Sequence, residues 1–250
     1  MRHKLKAIVL RENVKGETSK LLTVLTDKMG VLTVNAKGVR KLSSPYLKSA
    51  QLFAFSDMLL YEKNGFYTLT EAALITDFYP LSKNVTSYSL ACYLCDAASA
   101  FAMPGEDSSD ILRLLLNSLY ALEKEIANPN IIKAAFELRL CSECGFYPDI
   151  DGCIDCQSNL TECEFLFDYT DGVSFCKNCA SKNNNNVLIN QNVAKSVKHI
   201  TESELSKFIS FRIGEEDERL LSDLAEKFFL SHAERGFKTL SFYKHCKELL

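Results

Sequence analysis

Two short cysteine loops constrain this chain more than any other feature: "CIDC", Cys153 to Cys156, and then, after nineteen intervening residues, "CKNC", Cys176 to Cys179. Paired Cys-x-x-Cys knuckles at this separation match the four-thiolate zinc site, in which each loop offers two sulfurs to one tetrahedron. The pair is a clip that ties two points of the chain together. Four is the ligand number of a structural site, with no position left open for water or substrate. An iron–sulfur cluster and unmetallated thiols are the other readings of the same spacing.

The chain has ten cysteines in 250 residues. In a chain of this length, with no apolar run near the eighteen residues needed to span a bilayer and too short a hydrophobic stretch after Met1 for a secretory signal, knuckle spacing points to metal and reduced thiols. The expected location is the cytoplasm. Cys141 and Cys144 form a third knuckle, but they fall at i and i+3 in a helix's last turn, which reads as one thiol packed in the core and one near the cap. Cys163 is a spare between the knuckles. Cys92 and Cys95 sit in an apolar helix with no preceding strand, so small core residues are the reading preferred to a redox motif. Lone Cys246 is given no role. Catalysis finds little support. His232-Ala233-Glu234 meets only half of a zinc-deaminase signature, the other histidines are scattered, and none of the ten glycines makes a phosphate loop. No enzyme activity and no small-molecule substrate are expected.

The first 80 residues read as strands. "KLKAIVLRE" and "SKLLTVLTD" are followed by "GVLTVNAKG", where Leu32, Val34 and Ala36 alternate with Thr33, Asn35 and Lys37. "LFAFSDMLLYEK" and "FYTLTEAALI" flank Asn64-Gly65, a dipeptide that accepts the positive φ values of a tight hairpin. Five largely antiparallel strands make a small closed barrel the economical expectation. Beyond Pro80 the apolar period becomes three and four: Tyr88, Cys92, Cys95 and Ser99, then Ile111, Leu114, Leu115, Leu119 and Leu122. Asp107, Ser108 or Ser109 is available to cap the second helix, and a third runs from Pro129 to a stop at Gly145. From Phe146 to about Asn186 there is no sustained period, and "KNNNN" reads as a flexible polar loop. Helices return at "QNVAKSVKHI", "EEDERLLSDLAEKFFLSHAE" and "KTLSFYKHCKELL". The expectation is an α+β chain: a barrel over 1–80, then a helical domain over 81–250 with a four-cysteine insertion at about 146–186.

The net charge of −3 conceals an asymmetry. Residues 1 to 48 hold eleven Lys and Arg against Glu12, Glu17 and Asp27, a balance of +8 that leaves −11 on the remainder. A basic head on an acidic body suggests that one end meets a polyanion; a solvated basic surface is the bland alternative. Within "NAKGVRKLSSPYLKSAQ", Lys37 ends the third strand, and Arg40, Lys41 and Lys48 follow around Pro45-Tyr46. Cations beside an aromatic on a small barrel suit single-stranded nucleic acid: charge tracks the phosphates and a ring offers a stacking platform. Tyr46 is the expected platform; for Tyr61, Phe66 and Tyr67 the readings are further stacking rings or core residues, and core is preferred.

At this point the chain resembles the bacterial RecO family of recombination mediators. The likeness runs through "KAIVLRE", "GETSKLLTVLT", "DKMGVLTVNAKGVRK", "LFAFSDMLLYEKNGFYTLTEAALI", "GFYPDIDGCIDC" and "DGVSFCKNC"; it is their order that is specific. The resemblance implies an N-terminal OB-fold binding single- and double-stranded DNA, a helical C-terminal domain with a structural zinc finger, and a nucleoid-associated role in DNA repair. It further implies annealing of complementary strands and joint action with RecR to load RecA onto DNA coated by the single-strand-binding protein SSB, whose acidic tail the helical domain receives. Lys37, Arg40 and Lys41 match the family's basic strand-end motif, and Cys153, Cys156, Cys176 and Cys179 match its zinc positions. The pattern's Cys-Gly after the first knuckle is here Cys156-Gln157. For the tail, Lys238, Lys244 and Lys247 are the sequence's candidates against a plain solvated helix face, and an adaptor whose basic loop binds an acidic peptide is the alternative function.

Overall fold

In a computed structural model, which describes residues 1–159, 165–180 and 185–249, the first five strands close on themselves. They are β1 (Arg2–Lys15), β2 (Ser19–Thr26), β3 (Val31–Ala36), β4 (Ala54–Lys63) and β5 (Phe66–Asp77), in the order β1-β2-β3-β5-β4 around the barrel. Alternation decides what faces inward: Leu5, Ala7 and Val9, Leu22 and Val24, Leu32, Val34 and Ala36, Met58 and Leu60, and Leu69 make one buried cluster. β1 runs longer at both ends than its apolar run suggests, because it serves two neighbours. Arg2 to Ile8 pair with β4, and Ala7 to Lys15 pair with β2, with a register shift between Val9 and Arg11. β3 and β5 pair in parallel at Val34–Tyr67 and Asn35–Thr68, which completes the closure. This is the OB-fold arrangement.

The two turns follow their sequence signals. Asn64 (φ 51°) and Gly65 (φ 76°) make the β4–β5 hairpin. Gly30 (φ 60°) lies against the loop after the first helix, where an added Cβ would come within 1.8 Å of the Met103 carbonyl oxygen. That loop is stitched to the β2–β3 turn by Gly105 N–H donating to Met29 O and Ser108 N–H to Asp27 O.

The helices are α1 (Val85–Phe101), α2 (Ser109–Glu123), α3 (Pro129–Glu143), α4 (Gln191–Glu202), α5 (Glu215–Ala233) and α6 (Lys238–Glu248). Asn84 caps α1, and Asp107 accepts from Ser109 N–H at the start of α2, a bond that lowers the Asp107 carboxyl below its ordinary value. Gly145 (φ 91°) ends α3 as its sequence position suggested. The face read for α1 is not its core face. Leu90, Tyr93, Leu94 and Ala97 are fully buried, whereas Tyr88, Cys92 and Ser99 are half-buried. α1 is apolar around most of its girth, so a period of three and four does not single out one stripe.

The described chain divides into two compact units, one of Met1–Glu123 with Phe237–Leu250 and one of Lys124–Gly236. In the first, α6 packs on α1; Tyr93 meets Phe237 edge-on, and Asp96 receives both Arg11 of β1 and Thr239 of α6. In the second, α3 packs on α5 through a buried ion group, Lys133 with Glu137 (2.8 Å) and Glu226 (2.9 Å). Burial opposes the Lys133 charge, but the two carboxylates outweigh it and raise its pKa. The segment without a period contains three short strands, β6 (Phe165–Asp168), β7 (Val173–Phe175) and β8 (Asn186–Ile189), in the order β7-β6-β8. Strands of three or four residues give no pattern long enough to read. Phe167 meets Phe228 of α5 at 5.8 Å between ring centres, so this small sheet is anchored on the bundle.

Candidate metal centre and nucleic-acid interface

Each knuckle is built by its own backbone. In the first, Gln157 N–H donates to Cys153 O and Cys153 N–H to Ser158 O, while Gly152 bridges Asn159. In the second, Cys179 and Ala180 N–H groups both donate to Cys176 O. Ile154 N–H to Ser174 O (3.0 Å) joins the first loop to β7, the strand that leads into the second. The tertiary fold thereby brings the Sγ atoms of Cys153, Cys156, Cys176 and Cys179 within 4.8 Å of one another.

That geometry fits a metal. Tetrahedral bonds of about 2.3 Å to sulfur give edges of about 3.8 Å, and Cys156 Sγ lies 3.8 Å from Cys176 Sγ. Cys153 is 2% exposed, and Cys156 lies open to solvent beside the Ser158 hydroxyl at 3.1 Å. Burial disfavours the Cys153 thiolate, but N–H groups of Cys156, Cys176 and Asp155 more than offset it and bring the thiol down to about 6. Ser158 lowers Cys156 through its hydroxyl and its N–H, whereas hydrogen bonds to the sulfurs of Cys176 and Cys156 push Cys179 up to about 12. Cys153 and Cys156 are thus drawn toward the thiolate and Cys179 toward the thiol, a proton that a bound dication would displace. Gln157 takes a left-handed conformation (φ 56°) at the position where the pattern has glycine, so the departure changes the residue and keeps the turn.

Among the described residues no other thiol is in this group. Cys141 is buried and Cys144 half-buried in the last turn of α3; burial raises both, Cys144 to about 11, so both keep their protons. Cys163 lies outside the described residues, as do residues 182–184 of the "KNNNN" stretch.

At the barrel, the loop that follows β3 returns to the β1–β2 turn. Arg40 N–H donates to Thr18 O, and its guanidinium donates to the carbonyls of Gly16 (3.1 Å) and Glu17 (2.9 Å). Lys20 opposes Ala36 across β2–β3 and reaches Ala50 O (3.1 Å), in the short helical turn Lys48–Ala50. Lys37, Arg40, Lys41 and Lys48, all in the segment from the end of β3 to this turn, are exposed. Tyr46 is half-buried with its ring against the barrel core, as is Tyr67. Phe66, which the sequence placed in the core, is instead 78% exposed, and Tyr61 is 44% exposed. Both lie on the outward side of the alternation along β4 and β5, the face turned away from the barrel core.

Two family models account for most of the chain. The one described as Recombination protein O N terminal matches residues 1–78, and Recombination protein O C terminal matches residues 82–241. The chain belongs to the RecO family. Among RecO relatives, the DNA repair protein RecO of Caldicellulosiruptor saccharolyticus is 30% identical over 98% of this chain and 98% of its own length. That of Acetivibrio thermocellus is 27% identical over 96% of each. Among the described residues of this RecO chain no helix is long and apolar enough to cross a membrane.

Proposed function

We propose that this chain is a non-enzymatic DNA-binding mediator of repair and recombination, with the barrel (about 1–80) as the nucleic-acid-binding domain and the helical part as partner platform. The observation that carries the reading is that Lys37, Arg40, Lys41 and Lys48 are all exposed along the segment that joins β3 to β4 in a closed five-stranded barrel. In OB-folds the face of strands two and three, with the loops joining β1–β2 and β4–β5, is where oligonucleotides lie. Exposed cations there release counterions from either single- or double-stranded DNA. Neutralising the phosphates of two strands lets them approach and pair, the physical basis for annealing. Cooperation with RecR, and delivery of RecA to SSB-coated DNA, complete the reading, in the cytoplasm at the nucleoid.

The four cysteines are assigned zinc in a structural role. A full set of four thiolates leaves no open coordination position for a hydrolytic or deaminating reaction. Changing Lys37, Arg40 and Lys41 together to Ala tests the DNA reading. Affinity for a fluorescent single-stranded oligonucleotide should fall, and the salt slope should flatten by about 2, at roughly 0.7 for each phosphate no longer neutralised; an unchanged slope removes these residues from the site.

The adaptor alternative seats an acidic peptide on the basic loop of the barrel in place of DNA. In the second compact unit a groove of about 330 Å³ is lined by Lys195, His199, Phe211 and Arg212. Two exposed cations beside a ring suit an acidic, aromatic-ended segment, and the SSB tail is the natural occupant under the first reading. Titrating such a peptide against oligonucleotide separates them. Independent binding supports the mediator, and mutual exclusion with preference for the peptide supports the adaptor.

A further inference from the structure

The β4–β5 end of the barrel carries a second group of residues that the Lys37 loop does not include. Inward and outward positions alternate along β4, so Tyr61 and Lys63 face out while Leu60 is in the core and Glu62 turns to His3 (2.8 Å). Lys63 is directly opposite Phe66 across the hairpin, and Tyr61 is flanked by Thr68 on β5 and Arg2 on β1. Directly opposed side chains stand about 5 Å apart and diagonal ones about 7–8 Å, so Arg2, Tyr61, Lys63 and Phe66 form one continuous patch. All four are exposed. Glu62, the acid of this hairpin end, is engaged by His3. Two rings left bare at the tip of a well-formed hairpin, with a cation beside each, need a reason, since large apolar groups in water contribute nothing to folding.

The parallel pairing of β3 with β5 supplies continuity with the basic loop. Tyr67 lies against Val34 and Thr68 against Asn35, so Phe66 is level with Thr33, and Lys37 follows four residues on, about 13 Å away at strand rise. The outward residues between are Thr33 and Asn35, short and polar.

We propose that Phe66 and Tyr61 form a base-stacking platform for unpaired nucleotides, with Arg2 and Lys63 holding the flanking phosphates. The platform rests on the DNA-binding reading and deepens it: the Lys37 loop binds backbone of any kind, and the rings confer preference for single strands. Stacking needs a base whose face is free, which a duplex does not offer. An uncharged ring also contributes affinity without counterion release, so its loss lowers binding at every salt concentration and leaves the slope alone.

The experiment uses the full chain with its metal, and three labelled probes of equal length: oligo-dT, an abasic single strand and a duplex. Phe66→Ala and Tyr61→Ala should each weaken oligo-dT binding about tenfold, within the range for one stacked base, with abasic and duplex affinities and all salt slopes unchanged. Phe66→Tyr should retain wild-type affinity, and Phe66→Leu, which keeps apolar bulk without an aromatic plane, should behave as the Ala variant. Lys63→Ala should flatten the oligo-dT slope by about 0.7. Unchanged oligo-dT affinity in both ring variants overturns the platform, as does an equal loss on the abasic strand. If the ring variants are silent while the Lys37/Arg40/Lys41 triple variant still loses affinity, the platform alone fails; if the triple variant is silent too, the DNA reading itself fails.

Discussion

The barrel and the cysteine-knuckle segment are both assembled from strands, yet they are held by different forces. The barrel strands are six to fourteen residues long and enclose a continuous apolar cluster, from Leu5 through Val34 to Leu69, sealed by hydrogen bonds around the ring. The strands β6, β7 and β8 have four, three and four residues, and their apolar contribution is mainly Phe165, Phe167, Val187 and Ile189. So few buried side chains cannot by themselves offset the entropy of ordering the loops around them. A metal held by the four sulfurs would make up the difference. On that reading the barrel is stabilised by area and the knuckles by one coordination centre, and the two should fail under different insults.

The largest contrast should come from metal removal. Structural zinc supplies of the order of 10 kcal/mol, so strong chelation should unfold the knuckle segment, seen as loss of amide protection over residues 146–159 and 165–180, while protection in β1 to β5 persists. Loss of barrel protection under chelation would show that the two regions do not hold independently. Acid should act in the same direction. The Cys153 thiol, held down to about 6, contributes stability that is present in full above its ordinary value near 9 and is lost as pH falls through 6. Metal occupancy, followed by absorbance of a cobalt-substituted sample, should fall at lower pH still, because a bound dication competes with the proton for each thiolate.

Leu22→Ala makes the converse change. Leu22 is fully buried in the barrel, so the cavity should cost about 2–5 kcal/mol, read as a lowered denaturation midpoint at one metal per chain. A lowered metal content would contradict the division of labour. Gly30→Ala strikes the same region through the backbone: the positive φ alone should cost about 1–3 kcal/mol, and the Met103 carbonyl, 1.8 Å from the added Cβ, must also shift, again without effect on metal. Smallest is a gain. Gln157→Gly relieves a left-handed conformation next to the first knuckle and should stabilise the metal-loaded chain by up to about 1 kcal/mol. A loss there would mean that the Gln157 side chain has a role of its own.

The same contrast explains what was legible. Alternation along β3, Leu32, Val34 and Ala36 against Thr33, Asn35 and Lys37, is a local pattern with a local cause, so the strand could be read directly. The knuckle cysteines were legible by spacing, since two residues between ligands is what a tight loop around one ion requires. The strands between and after them were not, because each is too short to show a period. Phe66 and Tyr61 were misplaced for a related reason: an aromatic in a strand is ordinarily core, and which side of the strand faces the core is fixed only by the register of the closed barrel. α1 misled differently, by being apolar on nearly every side.

The sequence by itself determined the number of barrel strands, the hairpin at Asn64-Gly65, the stop at Gly145, the four sulfur donors and the basic charge of the head, because each is written within a few neighbouring residues. The tertiary structure alone decided that Arg40 folds back onto the β1–β2 turn, that four thiols from two loops converge within 4.8 Å, and that Arg2, Tyr61, Lys63 and Phe66 share one outer surface. These depend on strand register and closure, which are set by the packing of a whole core rather than by any one segment.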